Sequence, residues 1–587
     1  MQPKRRPLFP LLFFLSFAAL LLLVFSFHST TSSSPRSSLL LSENHNPNPR
    51  FTFIIKLLTF DRIDSLRRCL RSLAAADYAG DRVHLHVLVD HFRPANESSA
   101  PSVDRKLEES RRILDLIDLF RWVHGEKIVH YRTANAGLQA QWLEAWWPSS
   151  DDEFAFVVED DLELSPLYYK FLKRLILKYY YDPANYDPSI YGASLQRPRF
   201  VAGMMIKPRL FLNLASFPLF VFLLCFQVTT GWYKRFGERI WTPWFIKFIH
   251  SRGYYNLYTN FKQERALSIS HRDAGVNYGK TVGPDSSLLV DESLDFSLRE
   301  LPPLRNLKWY DFCFAETHPG RLASNFDQLR SMLHSLKQKT IFVISLYQTT
   351  ERIARNLICN LEKVGLVNFI LLGGYPELSI DLARRGYPVV DTSQLVSSIR
   401  QVKSIDLERE TDIIKEIWIK ATTVQKCLEL GYDLWLIDGN MIPGSGLLPE
   451  LLNPSYDFAI AKNAELLFVK SSPSSLKTWN DDYIHKVAAE CKSLIGTISP
   501  EMEHKNFAYL AMRALDENAG ARLWRLDDSD IGVKLGYGTM NNTESKLKMV
   551  FWVPGMALTS VQRELDRSGM WLIDVDSSCV SVVCHKR

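Results

Sequence analysis

The stretch Phe154-Ala-Phe-Val-Val-Glu-Asp-Asp-Leu-Glu-Leu-Ser-Pro166 decides the fold of the first part of this chain. Its apolar beginning predicts a buried strand. Ser165 and Pro166 are residue types preferred at the N-cap and first position of a helix, and they open a predicted helix over 167–180. Glu159, Asp160 and Asp161 therefore follow the end of a buried strand. In open α/β sheets, ligands bind at the carboxyl ends of the strands.

Outward from this stretch, apolar strand patterns alternate with helical ones. Residues 51–58, 83–89 and 128–131 are short apolar runs, and Leu66, Leu70 and Leu73 between the first two repeat at helical spacing. Strands that alternate with helices predict a parallel sheet covered by helices on both faces. We therefore predict an α/β fold for residues 51–290.

Three adjacent carboxylates repel one another and resist burial. They are tolerated where water solvates them or where a cation neutralises them. The oxygen ligands suit Mg²⁺ or Mn²⁺, which also bind a diphosphate. A solvated acidic turn is the alternative, but the preceding buried strand favours a metal site.

The sequence resembles the N-acetylglucosaminyltransferase I family of GT-A glycosyltransferases. The first part of the resemblance is His130-Tyr-Arg132 together with Val157 to Pro166, and the second is His271-Arg-Asp-Ala-Gly-Val-Asn-Tyr-Gly279. Two single residues, Arg62 and Asp90, add to it. The resemblance implies a UDP-sugar donor, with Arg62 and Asp90 near the uracil and ribose. It also implies that Glu159 and Asp160 lie in the cofactor site and that Asp161 is the direct Mn²⁺ ligand.

The catalytic base is less clearly marked. In the family, a Trp-flanked acidic pair supplies it, whereas Trp241-Thr-Pro-Trp244 stands here without a carboxylate. Glu238 is the nearest substitute and Asp273 the other candidate. An ion pair with Arg235 or Arg239 on the surface is an equally good interpretation of Glu238.

The run from Leu210 to Phe226 is uncharged and departs from the family pattern. It has three interpretations: a second membrane span, a buried or interfacial segment, or an irregular gene model. Its length is at the lower limit for a span. An aberrant or shortened acceptor region is the interpretation that we favour.

A second α/β pattern covers residues 331–587, after a predicted linker over 291–330 that is marked by Pro302-Pro303. The segment 411–480 resembles plant nucleotide-diphospho-sugar transferase domains of the arabinosyl- and xylosyltransferase type. Asp438-Gly-Asn440 stands where such enzymes carry Asp-x-Asp, and neutral Asn is a weaker Mn²⁺ ligand than Asp. Asp-Gly-Asn is also good turn chemistry, so we predict a degenerate, Rossmann-like GT-A domain.

The N-terminal residues predict a membrane anchor. Residues 8–27 are an uncharged, Leu- and Phe-rich run of one membrane thickness, and Lys4 to Arg6 precede it in a tail over 1–7. A cleaved signal peptide is the alternative. Residues 28–50 are rich in Ser, Pro and Asn and predict a flexible stem. This order predicts a single-pass type II Golgi membrane protein with a lumenal body, consistent with sequons at Asn96 and Asn541.

Composition limits the remaining function classes. The 587 residues include 70 Lys and Arg against 65 Asp and Glu, a net charge of +5, so nucleic acid is not an expected partner. The eight cysteines form no CxxC pair, and Cys579 with Cys584 are the closest candidates for a disulfide. We predict a metal-dependent glycosyltransferase that acts on a glycan or another hydroxyl acceptor. The rival hypothesis is a non-catalytic Golgi glycan-binding or scaffold protein on a transferase fold.

Overall fold

A computed structural model gives the fold of a large part of the chain. The structure describes residues 50–93, 100–196, 211–215, 241–275, 279–290, 296, 300–311, 316–317, 321–336, 338–347, 349–403, 407, 409–444, 455–461, 465–496, 506–516, 522–527, 531–536 and 549–580. The predicted anchor over 8–27, most of the stem, Glu238, Asn96 and Asn541 lie outside these residues. No helix within the described residues is both long and apolar enough to cross a membrane.

Residues from Thr52 onward form one compact unit, which contains both predicted α/β regions. We call residues 52–317 the first half and residues 321–580 the second half. The first half contains these strands: β1 (Thr52–Thr59), β2 (Val83–Val89), β3 (Lys127–Tyr131), β4 (Glu153–Glu159), β5 (Leu162–Leu164), β6 (Ile190–Ser194), β7 (Phe211–Ala215), β8 (Tyr255–Asn260), β9 (Arg265–Ala266), β10 (Ser268–Ser270), β11 (Ser287–Leu288), β12 (Lys308–Tyr310) and β13 (Glu316–Thr317). Its α-helices are α1 (Ile63–Ala74), α2 (Ala100–Leu119), α3 (Gly137–Glu144), α4 (Tyr168–Ile176) and α5 (Thr242–Arg252).

The second half is described in the same order. Its strands are β14 (Leu322–Ala323), β15 (Thr340–Ser345), β16 (Phe369–Leu372), β17 (Val389–Val390), β18 (Asp433–Asp438), β19 (Met441–Pro443), β20 (Phe458–Ala461), β21 (Leu466–Val469), β22 (Leu523–Arg525), β23 (Val533–Lys534) and β24 (Met549–Phe551). Its helices are α6 (Phe326–His334), α7 (Glu351–Val364), α8 (Pro376–Arg384), α9 (Thr392–Lys403), α10 (Asp412–Glu429), α11 (Pro473–Thr478), α12 (Asp481–Gly496), α13 (Phe507–Asp516) and α14 (Leu558–Arg567).

The first sheet has the order β3-β2-β1-β4, and all of its strands are parallel. This confirms the predicted parallel sheet. Helix α1 packs through Leu66, Leu70 and Leu73, which are fully buried at the predicted helical spacing. Because β1 and β4 are neighbours and parallel, the residues that follow them meet at one edge of the sheet.

The acidic stretch continues into a short antiparallel pair. Strand β5 pairs with β10, so that Glu163 lies opposite Ile269. This pairing brings the segment after β10, which contains His271 and Asp273, to the carboxyl edge of the first sheet. The local structure thus joins two segments about a hundred residues apart.

Of the apolar run from Leu210 to Phe226, the structure describes residues 211–215. Strand β7 lies in a five-stranded sheet of the order β13-β12-β7-β8-β6, antiparallel to β8 and parallel to β12. Residues 211–215 therefore form a strand of this sheet. The remainder of the run lies outside the described residues.

The second half contains an eight-stranded sheet of the order β14-β17-β16-β15-β18-β21-β20-β22. Strands β14 to β18 run parallel, β21 is antiparallel to β18, and a hydrophobic core covers each face. Within the predicted linker over 291–330, β12 belongs to the five-stranded sheet and β14 to the eight-stranded sheet. The change from one sheet to the other therefore falls between Thr317 and Leu322.

The structure gives Cys579 a partner that the sequence could not assign. Cys579 is bonded to Cys359 of helix α7, 220 residues earlier, and not to Cys584, which lies outside the described residues. Sequence proximity favoured Cys584, but tertiary folding places the C-terminal segment against α7. The Asn356 amide strengthens this contact, since it donates to the Met570 carbonyl at 3.0 Å and accepts from the Leu572 N–H at 2.6 Å.

Candidate functional site

Asp160 is the buried centre of the acidic stretch. Its carboxylate accepts a hydrogen bond from the Thr59 hydroxyl at 2.8 Å and forms an ion pair with Arg62. Burial is the largest influence on this group and outweighs Arg62, so the pKa of Asp160 is raised to about 6. Arg62 occupies the N-cap position of α1 without capping the helix through its side chain. Its guanidinium is instead committed to the acidic stretch.

Glu159 lies on the other side of the strand end. The Trp142 indole N–H, from helix α3, donates to its carboxylate at 2.7 Å. Burial and then the Asp161 charge raise the pKa of Glu159 to about 7, against the opposing effect of that hydrogen bond. The Trp142 ring in turn stacks on Trp241, with ring centroids 4.0 Å apart.

Asp161 is more accessible than Asp160, with 13% of its side chain exposed against 2%. Its Oδ2 accepts from the Ser270 hydroxyl at 3.2 Å and lies 4.0 Å from an Arg62 nitrogen. Its backbone carbonyl accepts from the His271 N–H. Asp161 thus has a weakly engaged oxygen beside the buried carboxylate of Asp160.

These residues fit a divalent cation. Glu159, Asp160 and Asp161 share Arg62 as a cationic partner, so negative charge is in excess at the sheet edge. Within the residues that the structure describes, no three His, Cys, Asp or Glu side chains gather closely enough to hold a metal ion. A cation at Asp161 would therefore complete its coordination with diphosphate and water oxygens, as Mg²⁺ commonly does in proteins.

A His–carboxylate pair, not among our sequence-predicted site residues, lies beside Asp161. The His271 Nε2 is 2.6 Å from a Glu163 carboxylate oxygen. Asp161 lies in the turn before β5, and Glu163 lies within β5. The closeness of these two carboxylates along the chain was visible in the sequence, whereas the pairing of β5 with β10, which brings His271 to Glu163, was not.

Asp273 is held by residues of helix α1. It forms an ion pair with Arg68 and accepts a hydrogen bond from the Ser65 hydroxyl at 2.7 Å. Burial raises the pKa of Asp273, but these two donors together outweigh it, and the pKa is below its ordinary value. A carboxylate engaged in this way is a weak proton acceptor and anchors the loop after β10.

Asp90 caps helix α3. It is buried at the end of β2 and accepts hydrogen bonds from the Ala136 and Gly137 N–H groups, both at 2.8 Å. Gly137 has a φ of +78°, a conformation that favours glycine at this entry into the helix. Asp90 thereby fixes helix α3, and this helix carries the Trp142 side chain that donates to Glu159.

The corresponding edge of the second half is internally neutralised. The buried Lys420 ammonium lies 2.6 Å from Asp438 and 2.6 Å from Glu416. Burial opposes ionisation of Asp438, but Lys420 and hydrogen bonds, including one with Glu465, together hold the pKa of Asp438 below its ordinary value. The Asn440 amide donates to the Trp552 carbonyl at 2.6 Å. Both residues of the Asp-Gly-Asn segment therefore have structural partners.

The fold and the site define an α/β protein with an acidic candidate metal site at the carboxyl edge of a parallel sheet. A family model described as the SPBC1E8.03c C-terminal domain matches residues 66–196, which is less than half of the chain. No curated protein matches the sequence.

Among solved structures, the chain is similar to TarS of S. aureus, with 14% identity over 19% of this chain and 17% of that chain and a TM-score of 0.11. It is similar to S. aureus TarS 1–349, with 9% identity over 80% of this chain and 92% of that chain and a TM-score of 0.20. A glycosyltransferase involved in the glycosylation of the major capsid of PBCV-1 matches at 11% identity over 39% of this chain and 99% of that chain, with a TM-score of 0.23. The chain spans under a fifth of the first of these. TM-scores this low do not support a functional inference, so the functional interpretation rests on the geometry of the candidate site.

Proposed function

We propose that the chain is a metal-dependent glycosyltransferase that transfers a sugar from a UDP-sugar to a hydroxyl of a glycan or another acceptor. The observation that supports this most is the excess of carboxylate charge at Glu159 to Asp161, facing the edge where α/β sheets bind nucleotides. When bound, Mn²⁺ or Mg²⁺ would act as a Lewis acid that neutralises the leaving diphosphate.

The residues have separate roles in this proposal. Asp161 would hold the cation, because it is a partly exposed carboxylate with a weakly engaged oxygen. Asp160 would hold Arg62 at the nucleotide, and Glu159 would hold Trp142 at the wall of the site. Asp90 would orient helix α3. The acceptor hydroxyl still needs a base, for which Glu238 and Asp273 are the sequence candidates.

We further propose a Golgi location with a type II membrane topology. The apolar run over 8–27 supports an anchor, and the Cys359–Cys579 bond supports an oxidising, lumenal compartment for the body.

The test is calorimetry of UDP with Mn²⁺. We expect one UDP bound per chain, loss of binding on chelation, and at least about tenfold weaker binding in Asp161→Ala, because one charge near the cation is lost. Asp64→Ala is the matched control, since Asp64 is exposed on helix α1 and pairs only with Arg67 at the surface. A panel of UDP-sugars, scored by UDP release with and without Mn²⁺, would identify the donor. Chelation-insensitive binding that survives Asp161→Ala would refute the assignment.

A glycan-binding protein without catalysis remains the second candidate. The engagement of Asp273 by Arg68 and Ser65 favours it, because this carboxylate is a poor base. Binding of UDP and Mn²⁺ without UDP release from any sugar donor would select this candidate.

A further inference from the structure

A line of contacting aromatic rings leads away from the acidic stretch. It begins at Trp142, which is hydrogen-bonded to Glu159, and passes through rings whose centroids lie between 4.0 and 6.0 Å apart. We call this line the aromatic track. Its members are Trp142, Trp241, Phe245, Tyr191, Phe248 and Tyr254.

Part of the aromatic track faces solvent. Tyr191 is 48% exposed and Phe248 is 39% exposed, although both have aromatic neighbours that could have buried them. Exposed apolar groups in a contiguous row mark a binding surface more often than a structural one. Flat rings of this kind fit the apolar C–H face of a pyranose while leaving the sugar hydroxyls in water.

Helix α5 extends the aromatic track towards the second half. Phe245, Phe248 and Arg252 are spaced three and four residues apart, so they follow one side of the helix. The Arg252 guanidinium lies 4.9 Å from the centre of the Phe248 ring. The helix then ends at Gly253, and the Arg385 guanidinium of the second half donates to the His250 carbonyl at 2.9 Å.

The track ends at a polar cavity of about 330 Å³ between the two halves. The first half contributes Ser251, Arg252 and Tyr254. The second half contributes these lining residues: Glu351, Arg355, Asp381, Arg384, Arg385, Asp576 and Ser577.

The charges of the cavity favour an anion. Arg355, Arg384 and Arg385 all pair with Asp381, and Arg355 also pairs with Glu351. Within the described part of the chain, Arg252 has no carboxylate partner and contacts the Phe248 ring. The four guanidinium groups that line the cavity outnumber its three carboxylates, Glu351, Asp381 and Asp576. Guanidinium binds carboxylate, phosphate and sulfate groups well.

We propose that the aromatic track and this cavity bind an acidic oligosaccharide as the sugar acceptor, with pyranose rings on Tyr191 and Phe248 and an anionic group at Arg252. The identity of this ligand as an acceptor rests on the proposed transferase function. The chemical class of the ligand, an acidic oligosaccharide, does not rest on that function. The aromatic rings and the guanidinium groups would bind such a ligand whether or not the protein is a transferase.

The test is calorimetry of the whole lumenal body with linear α-1,4-linked tetrasaccharides. The acidic probe is tetragalacturonate, the neutral probe is maltotetraose, and sulfated and phosphorylated maltotetraose distinguish the anionic groups. We expect at least one acidic probe to bind about tenfold more tightly than the neutral probe, the size of one charge-assisted contact.

Two variants separate the two kinds of contact. Arg252→Gln should weaken the acidic probe about fivefold to tenfold and leave the neutral probe unchanged, with partial recovery in Arg252→Lys. Phe248→Ala should weaken both probes. Arg111→Gln and Tyr375→Ala, which replace exposed residues elsewhere, are the controls.

UDP binding is measured in the same variants to keep the two proposals apart. We expect UDP and Mn²⁺ to bind Arg252→Gln and Phe248→Ala as they bind the wild type. Equal binding of acidic and neutral probes, or an acidic preference that survives Arg252→Gln, would overturn the proposed cavity. Loss of UDP binding throughout, with the acidic preference intact, would overturn the transferase assignment alone.

Discussion

Adjacent carboxylates in this protein have different environments. Glu159 accepts from an indole, Asp160 pairs with a guanidinium, and Asp161 keeps an oxygen near solvent. The sequence predicted where the three would lie, because a buried strand ends immediately before them. It could not assign their partners, because Trp142, Arg62 and Ser270 come from three separate elements. The division of roles is therefore a tertiary property.

At the same scale, Lys420 shows why the second half is a weaker candidate for a metal. Its ammonium lies between Asp438 and Glu416 and is 2% exposed. The sequence indicated a poor metal site from Asn440, but gave no sign that a lysine eighteen residues before Asp438 would neutralise it.

Replacing this lysine tests that interpretation. Lys420→Met should lower the free energy of unfolding by about 3–5 kcal/mol, because it leaves buried carboxylates without a counter-charge. The measurement is chemical denaturation. Lys415→Met in the same helix is the control, and its surface pair with Asp412 should contribute less than about 1 kcal/mol. Addition of Asp438→Asn should recover part of the loss. Equal effects of the two lysine variants would contradict this account.

At the scale of the element, the first sheet has two unlike faces. One face is mostly apolar, whereas the other carries Lys56, His84 and His86, with His130 from the neighbouring strand. The Lys56 ammonium lies 3.0 Å from His86 Nδ1, and His130 Nε2 lies 3.2 Å from the same atom. Period-two patterning predicts which residues share a face. It does not predict which face remains partly open.

This cluster predicts a pH dependence. Burial and then the Lys56 charge lower the pKa of His86 to about 4, against an ordinary value of 6.5. Because the folded state disfavours the charged ring, this contribution to stability is present above pH 6.5 and is lost as the pH falls towards 4. In NMR titration, His86 should titrate near 4, and Lys56→Met should raise its pKa.

His124 is the control for that titration. Burial alone lowers the pKa of His124, so Lys56→Met should leave it unchanged. An unaltered His86 titration in Lys56→Met would show that Lys56 is not a cause of the shift.

At the scale of the whole molecule, the two α/β patterns could be predicted but their relation could not. Strand and helix periodicity is local, so it predicts alternating strands and helices but not how the two regions contact each other. The cavity between the halves depends on contacts such as Arg385 with His250 and Lys247 with Asp574. These join segments more than a hundred residues apart, and no local pattern encodes them.

The disulfide supplies a prediction at this scale. Cys359→Ser should lower the free energy of unfolding by about 3–5 kcal/mol, because a bond across 220 residues restricts the unfolded chain. Reductant should destabilise the wild type to a similar extent and leave Cys359→Ser unchanged. Cys427→Ala is the control for a buried cysteine outside the bond. Identical denaturation midpoints for reduced and oxidised wild type would contradict the expectation.

The same bond has a consequence for biosynthesis. Cys359 belongs to helix α7, whose Glu351 and Arg355 line one wall of the cavity, while Cys579 follows Asp576 and Ser577 of the opposite wall. Asp576 and Ser577 follow Glu351 and Arg355 by more than two hundred residues, so the ribosome synthesises the wall with Glu351 and Arg355 long before the other wall. The cavity between the halves is therefore completed late in synthesis, and a chain released before residue 576 would contain the carboxyl edge of the first sheet but lack the part of the cavity lining formed by Asp576 and Ser577.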